Sequence, residues 1–387
     1  MAIEEVLTDP AFRADPHPVY AQWRRTGPVR LARLPNGLDA WLVTRYDDAR
    51  KALADPRLSK AVHAVPGGSV NAAVSHHMLA VDPPDHTRLR RLVSATFTAR
   101  RIEALRPRIE QITDELLDGM AGREQVDLID AFAFPLPIQV ICELLGIPSD
   151  DRDDFRAWSN VLVNGAQFDK ERPGALTAMI AYIKALIAQR RETPGDDLLS
   201  GLIGVRDQED RLTEDELSSM VFLLLIAGHE TTVNLIGNGA HVLLTDRSRW
   251  ERLRADPGLL PSAIEEFLRF EGPVETSTFR IATEPLEIGG TTVPAGAVVL
   301  VVLLSANRDE QRFPGADDVV LDRSQNPHLA FGHGIHYCLG APLARLEAQV
   351  AFTKLMDRFP DLRPAGADLS WRPGILIRGL SSLPVRL

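Results

Sequence analysis

The longest run of helical hydrophobic periodicity lies in the middle of the chain. It begins after Thr213, where Glu216 three residues later completes a capping box, and it continues to about residue 245. A helix of that length spans roughly 45 Å, so it has to cross the centre of the molecule. Its apolar run, Met220 to Ala227, is far shorter than the roughly 20 residues that a bilayer requires. The pattern therefore predicts a buried core helix.

Other segments repeat the helical period, and extended patterns are confined to a few places. Residues 29–34 and 38–44 flank Pro35-Asn36-Gly37, which is a hairpin signal, and residues 286–304 alternate around glycine-rich turns. A stretch rich in Gly, Ser, Asn and His predicts a mobile loop at 62–77. The predicted fold class is mainly α with small β-sheets. The predicted helices cover residues 100–120, 136–145, 175–191, 214–245, 262–270 and 339–359.

Composition narrows the class of protein without naming a function. The chain has 387 residues, 45% of them hydrophobic, so it can bury a large core, and length alone suggests two or three domains. A net charge of −10 argues against nucleic acid as a partner. Two cysteines exclude a disulfide framework and suit a reducing cytosol. The first seven residues lack the pattern of a signal or anchor, so we expect a cytoplasmic protein with no membrane attachment.

The two cysteines predict different roles. Cys142 lies in an apolar run and predicts a packed core thiol, whereas Cys338 ends a glycine-punctuated loop and precedes a helical run. A cysteine at a helix N-terminus lies near the positive end of the helix dipole, which favours the thiolate and lowers the thiol pKa. Such a thiolate is an axial ligand of haem iron that favours O–O cleavage. A lone cysteine after such a loop is more commonly a small buried hydrophobe, so the surrounding residues decide.

The ten residues from Phe331 to Gly340 resemble the haem-ligand loop of the cytochromes P-450. That family's pattern is Phe, two residues, Gly, three residues, Cys, one residue, Gly, and this chain matches it throughout. The resemblance implies haem b as the cofactor, Cys338 as the iron ligand, Phe331 beside the sulfur and His336 at a propionate. Gly340 leaves room where the helix approaches the flat macrocycle. The resemblance also implies that residues 1–387 form one domain with the long central helix over the haem.

The same family has a Glu-x-x-Arg helix about 70 residues before its cysteine, and Glu266 and Arg269 match it here. Residues three apart share one helix face, and exposed pairs of this kind are common and weak. The resemblance implies instead a structural ion-pair network that supports the ligand loop and takes no part in chemistry.

The long helix contains Ala227-Gly228-His229-Glu230-Thr231, an unusual polar interruption of a buried segment. Its hydroxyl can bond the carbonyl four residues back. One interpretation is that these residues face solvent on an amphipathic helix. The other is that they resemble the family's oxygen-activating motif. In that case Thr231 hydrogen-bonds the bound dioxygen, Glu230 supplies protons through water, and Ala227 lies against the cofactor.

Three basic residues resemble the family's partners of the haem propionates. His86 and Arg90 are four apart on one predicted helix, and Arg280 ends the segment 274–280. A surface pair is the alternative for His86 and Arg90. His76-His77 is a weak metal-site candidate, because no carboxylate or thiol is spaced to complete it.

The resemblance predicts a haem-thiolate monooxygenase that hydroxylates or epoxidises a bulky apolar small molecule, in secondary metabolism. Electrons would come through a ferredoxin and a ferredoxin reductase, since the chain has no dinucleotide fingerprint. The alternatives are an H₂O₂-driven peroxygenase, a non-catalytic haem sensor or carrier, and a helical protein without haem. The Glu230-Thr231 pair argues against the first of these.

The resemblance also places a substrate pocket and a docking surface. The pocket would be lined by residues 62–77, 159–168, 274–278, by Leu376 with Ile377, and by Leu223, Ile226 and Ala227, with Glu275 available to a cationic group. A run of arginines from 88 to 108, opposed locally by Glu103 alone, forms either a solvated basic face or a docking site for an acidic ferredoxin. These arginines are at positions 88, 90, 91, 100, 101, 106 and 108.

Overall fold

In a computed structural model of the chain, residues 6–61, 72–148, 151–163, 170–206, 212–366 and 369–387 are described. Most of them are helical. The helices are α1 (Pro10–Ala14), α2 (His17–Thr26), α3 (Tyr46–Ala54), α4 (Ala72–Ser75), α5 (Asp85–Thr96), α6 (Ala99–Ala104), α7 (Arg106–Met120), α8 (Pro135–Leu145), α9 (Arg152–Val163), α10 (Arg172–Glu192), α11 (Leu198–Arg206), α12 (Glu214–Leu244), α13 (Arg247–Ala255), α14 (Leu260–Phe270), α15 (Leu303–Ala306) and α16 (Ala341–Arg358).

The strands form three small sheets. A five-stranded sheet has the order β1-β2-β8-β5-β3, a three-stranded sheet the order β4-β10-β9, and β6 pairs with β7. The predicted hairpin is confirmed, since β1 and β2 are antiparallel and Gly37 in their turn has φ of 82°. The strands are β1 (Val29–Arg33), β2 (Asp39–Val43), β3 (Leu58–Ser59), β4 (Gln125–Asp127), β5 (Arg280–Ala282), β6 (Leu286–Ile288), β7 (Thr291–Val293), β8 (Val298–Val301), β9 (Arg363–Pro364) and β10 (Pro384–Arg386).

The predicted helices all occur, and the differences have local causes. The pattern at 100–120 is divided at Leu105 into α6 and α7, because Pro107 can occupy the first turn of a helix but not its interior. Residues 286–304 form three strands, and the segment then turns into α15. Of the predicted mobile loop at 62–77, residues 62–71 lie outside the described residues, and residues 72–75 form α4.

Helix α12 crosses the core as predicted. Its capping box is present, with the Thr213 amide donating to Glu216 Oε2 at 2.7 Å and the Glu216 amide donating to Thr213 Oγ1 at 3.2 Å. The helix packs on α4, α8, α14 and α16. Among the described residues it alone has the length and apolarity that would suit a membrane span. However, 67% of its most apolar window is buried inside the fold, as expected of a core helix.

The predicted ion-pair network around Glu266 is present, and Glu266 and Arg269 at its centre are fully buried. Arg269 donates from Nε and Nη2 to the two oxygens of Glu266 at 2.8 and 2.7 Å. Arg323 Nε, Asn326 Nδ2 and the Val320 amide donate to the same carboxylate. Burial by itself would raise the pKa of Glu266, but the hydrogen bonds and charge of Arg269 hold that pKa below its usual value.

Arg269 also hydrogen-bonds the backbone of the segment that precedes the ligand loop. Its guanidinium donates to the carbonyls of Asn307, Ala316 and Asp318 at 2.7 to 3.1 Å. The Asn307 side chain then accepts the amide of Leu329 at 2.7 Å, two residues before Phe331. The network therefore fixes the segment that delivers the loop.

We expect Arg269→Met to destabilise the protein by about 3–5 kcal/mol, because it leaves the Glu266 carboxylate buried without its main partner. Urea unfolding followed by circular dichroism measures this change. The control is Arg106→Met, since Arg106 also pairs with an acid three residues earlier, Glu103, but on the surface. That variant should unfold at nearly the wild-type midpoint. Equal midpoints for both variants would show that the buried network does not stabilise the fold.

Candidate functional site

A cavity of about 280 Å³ lies where α12, α5 and the loop before α16 meet. Its wall is mostly apolar, with residues such as Leu223, Leu268 and Val274. All of the predicted site residues except His86 and Glu230 line it. These lining residues are Arg90, Ala227, Thr231, Arg280, Phe331, His336, Cys338 and Gly340. The tertiary structure thus brings four distant segments of the sequence to one place.

The loop from Phe331 to Gly340 depends on two left-handed glycines. Gly332 has φ of 73° and Gly334 has φ of 75°, a region closed to most other residues. A Cβ at Gly334 would also approach the Leu53 carbonyl oxygen to 3.1 Å, so this glycine lets the loop pack on α3. The Cys338 amide donates to the Phe331 carbonyl at 2.9 Å, which closes the loop and presents the thiol just before α16.

Cys338 is accessible from the cavity, whereas Cys142 is fully buried in the core as predicted. The predicted effect of the helix N-terminus on Cys338 is present, because the amides of Gly340 and Ala341 act to lower the pKa of the thiol. Burial against the protein atoms of the cavity wall is the larger effect, so the pKa of Cys338 in the protein alone is raised, although the charge of Arg90 also acts to lower it. A cation at the sulfur would favour the thiolate instead.

Helix α12 contributes its polar interruption to the cavity wall. Thr231 Oγ1 donates to the Ala227 carbonyl at 3.1 Å, which is the intrahelical bond expected of a hydroxyl at this place. Gly228 packs closely on α8, because a Cβ there would approach Ile141 Cδ1 to 2.9 Å and that side chain would have to shift. His229 and Glu230 are buried, so the interpretation of an amphipathic helix facing solvent is wrong.

Glu230, which precedes Thr231, is buried, and its carboxylate does not line the cavity. Oε2 accepts from Arg372 Nη1 at 2.9 Å, and Oε1 has no hydrogen bond among the described residues. Burial by itself would raise the pKa of Glu230, yet His229 and Arg372 hold it below its usual value. Glu230 is thus held as a carboxylate by a residue from the C-terminal segment. Its role as a proton relay remains a prediction.

His229 precedes Glu230 and was not predicted to have a role. Its Nδ1 lies 2.7 Å from the Leu225 carbonyl, which can only accept, so Nδ1 carries a proton. Its Nε2 lies 2.8 Å from Ser159 Oγ and 3.7 Å from Glu230 Oε1. A buried histidine in an apolar helix run is the signal that could have identified this chain of polar groups.

One edge of the cavity collects basic groups that lack acceptors. Both ring nitrogens of His86 and the Nε of Arg280 are buried without hydrogen bonds among the described residues. His86 packs on His336 with ring centroids 4.3 Å apart, and burial together with nearby positive charge lowers the pKa of His336 to about 3. Unsatisfied buried donors of this kind fit an anionic group such as the haem propionates.

Glu347 on α16 also lines the cavity, and sequence analysis did not identify it. It is buried, its Oε2 has no hydrogen bond among the described residues, and burial raises its pKa well above the usual value. An acidic residue on the apolar face of a predicted helix is the sequence signal that could have identified Glu347.

The predicted substrate lining is correct only in part. Leu223 and residues 274, 277 and 278 line the cavity, but Ile226, Leu376 and Ile377 do not. Glu275 is fully buried and bound by Arg13 at 2.9 Å and Tyr20 at 2.6 Å, so it is not available to a ligand. Residues 62–71 and 164–168 lie outside the described residues. No cluster of three metal-ligating side chains, including one at His76-His77, occurs among the residues that the structure describes.

The predicted basic surface is largely neutralised by acids from other segments. Arg88 was expected to face solvent opposite the cavity, but it pairs with Glu216 at the start of α12. Glu103 is therefore not the only acid nearby, because Asp196 pairs with Arg101 at 3.2 Å and Glu143 pairs with Arg108 at 2.7 Å. Arg91 and Arg100 remain exposed.

Known proteins resemble this chain over its whole length. A family model described as Cytochrome P450 matches residues 156–364. Cytochrome P450 107B1 of Saccharopolyspora erythraea is 53% identical over 98% of this chain and 96% of that protein. Cytochrome P450 monooxygenase PikC of Streptomyces venezuelae is 49% identical over 97% and 92%. The structure of the tirandamycin C-bound P450 monooxygenase TamI has 51% sequence identity and a TM-score of 0.92, and the match covers 99% of this chain and 100% of that chain.

We expect Cys338→His to retain the fold but to lose the thiolate signature in the absorption spectrum of the ferrous–CO complex, because imidazole replaces the sulfur ligand. Cys142→Ser is the control, since Cys142 is buried in the core. That variant should retain the signature. The opposite behaviour of the two variants would show that the ligand is assigned to the wrong cysteine.

Proposed function

The chain belongs to the cytochrome P450 family of haem monooxygenases, and on that premise we propose that it hydroxylates or epoxidises a bulky apolar small molecule of secondary metabolism with electrons from a ferredoxin. One observation carries the proposal. The Cys338 thiol, the Thr231 hydroxyl and a largely apolar wall all line the same cavity. We further propose that residues 1–387 act as one domain in the cytoplasm.

Haem b, when bound, supplies the iron at which dioxygen is reduced and from which one oxygen atom reaches the substrate. The residues that would hold it are Cys338 at the iron and Arg90, Arg280, His86 and His336 at the propionates. Their support is the position of the thiol on the cavity and the acceptor-free basic groups at its edge. Gly340 and Phe331 would lie beside the macrocycle.

The proposed substrate class follows from the chemistry of the cavity wall. Leu223, Leu268, Val274 and Leu303 present aliphatic carbons, and aromatic side chains are few. Such a wall binds by burying apolar surface without a demanding hydrogen-bond pattern, which suits a polyketide, macrolide or terpenoid skeleton. The TamI structure, at 51% identity, contains tirandamycin C. Screening natural products for a shift of the Soret band tests this assignment.

We assign Thr231 and Glu230 to proton supply. Thr231 holds a hydroxyl proton at the cavity wall, where it bonds the Ala227 carbonyl at 3.1 Å. Arg372 holds Glu230 as a carboxylate through Oε2, which leaves Oε1 as the atom that would exchange protons with Thr231 through water. Arg372 is then a positioning residue for the Glu230 carboxylate.

We expect Thr231→Ala to bind substrate and consume NADH but to lower the ratio of product to NADH several-fold, with the difference appearing as hydrogen peroxide. The reason is that the cavity loses its ordered proton donor. Measurements of product, peroxide and NADH in the reconstituted system test this outcome.

Thr177→Ala is the matched control, because Thr177 makes the same kind of bond to a carbonyl four residues earlier, at 2.9 Å, on the exposed side of α10. It should leave the product ratio unchanged. Glu230→Gln should slow turnover more than it changes this ratio. An unchanged ratio in Thr231→Ala would remove Thr231 from the mechanism.

Arg91 on α5 and Arg100 on α6 support the ferredoxin proposal, because both are exposed. Arg90, the neighbour of Arg91 on α5, lines the cavity instead. Opposite charges on two proteins raise the rate of encounter, and salt screens this effect. Arg88 is excluded from the proposed surface because it pairs with Glu216.

We expect the double variant Arg91→Glu and Arg100→Glu to slow reduction by an acidic ferredoxin several-fold, and the wild-type rate to fall as salt is added. Stopped-flow reduction of the iron measures both. The double variant Arg123→Glu and Arg254→Glu makes the same change of net charge at exposed positions elsewhere in the chain, and its iron should be reduced at the wild-type rate. Rates that respond to neither salt nor the first double variant contradict docking at this surface.

A further inference from the structure

Three cations line one cavity without a direct ion pair to the protein. Lys60, Arg90 and Arg280 all contribute to the wall, and among the described residues none of them has a carboxylate within ion-pair distance. Lys60 and Arg280 are buried, with relative exposures of 3% and 5%. Buried charges are normally paired or bind a ligand, because desolvation without compensation is costly. This edge of the cavity is therefore a place where an anion from outside the protein is favoured.

Lys60 is the member of this group that sequence analysis did not identify. It follows strand β3, and its Nζ donates to Thr278 Oγ1 and to the Phe279 carbonyl, the latter at 2.9 Å. An ammonium has three N–H donors, so one is left without an acceptor among the described residues. Burial and the charge of Arg280 lower the pKa of Lys60 to about 7, although the charge of Asp82 acts in the opposite direction.

Asp82, whose charge acts on both Lys60 and Arg280, makes its hydrogen bonds elsewhere. The Asp82 carboxylate accepts from the Ser59 hydroxyl and from the Lys60 backbone amide, the latter at 2.9 Å. It therefore acts on the backbone of this segment and makes no ion pair with the Lys60 ammonium. The ammonium lies beside Thr278, which is one of the residues that line the cavity.

We propose that Lys60 binds a carboxylate inside the cavity. Haem has two propionates, and Arg90 and Arg280 suffice to balance them, so Lys60 is a third cation. A third cation favours a third carboxylate, carried by the substrate, over a propionate shared with Arg280. This inference rests on the proposed substrate pocket. It narrows the substrate class to apolar molecules with an acidic group.

The test compares a carboxylate with its neutral isostere in the haem-loaded protein. Dodecanoate and dodecanamide differ in charge but hardly in shape, and titration of the Soret band measures the affinity of each. We expect Lys60→Met to weaken dodecanoate about tenfold or more and to leave dodecanamide unchanged. Lys60→Arg should retain dodecanoate binding, because it keeps the charge. Lys184→Met, at an exposed lysine of α10, is the control for loss of a positive charge.

Release of haem to an excess of haem-free myoglobin distinguishes the two sources of the carboxylate. Release at the wild-type rate from Lys60→Met, together with the selective loss of dodecanoate, assigns the carboxylate to the substrate. Several-fold faster release, with both ligands affected alike, assigns it to a propionate. Unchanged haem release and unchanged dodecanoate affinity overturn the proposal. A wild-type protein that binds neither ligand contradicts the proposed pocket, and haem release alone then decides the role of Lys60.

Discussion

The buried carboxylate of Glu266 is the constraint on which the position of the ligand loop depends. It accepts hydrogen bonds from Arg269, Arg323, Asn326 and the Val320 amide, so its charge is compensated by donors from α14 and from the long connection after β8. Loss of one of these partners would leave a desolvated charge less compensated, which destabilises the fold. The connection from residue 307 to residue 326 has little regular secondary structure, and the network holds it in one conformation.

That conformation matters because it places the Cys338 thiol on the same cavity that α12 lines. The loop reaches Cys338 through two glycines in left-handed conformations, and α12 reaches the same cavity through a glycine that packs on Ile141. A Cβ at Gly334 or Gly228 would force its neighbours to shift, so both walls of the cavity are close-packed at these glycines.

Among the described residues, several buried charges outside the cavity are paired with one another, whereas the cations at one edge of it are not. Acids and bases outside it form closed pairs, such as Glu230 with Arg372 and Glu275 with Arg13. At one edge of it Lys60, Arg90 and Arg280 lack such partners. In the part of the chain that the structure describes, these three cations are thus grouped on a cavity that an anionic ligand can enter.

The sequence by itself determined the elements and the local chemistry. Hydrophobic periodicity located the long helix and the β1–β2 hairpin, and the spacing of Phe331, Gly334, Cys338 and Gly340 predicted the ligand loop. These features depend on residues near one another in the chain, where period and spacing carry the information. Only the tertiary structure decided which distant side chains meet. It placed Arg372 on Glu230, Glu216 on Arg88 and Arg13 on Glu275, and it left Lys60 without a counter-ion. Such pairings arise when separate elements pack together, and the desolvation of each charge then depends on neighbours that no local pattern specifies.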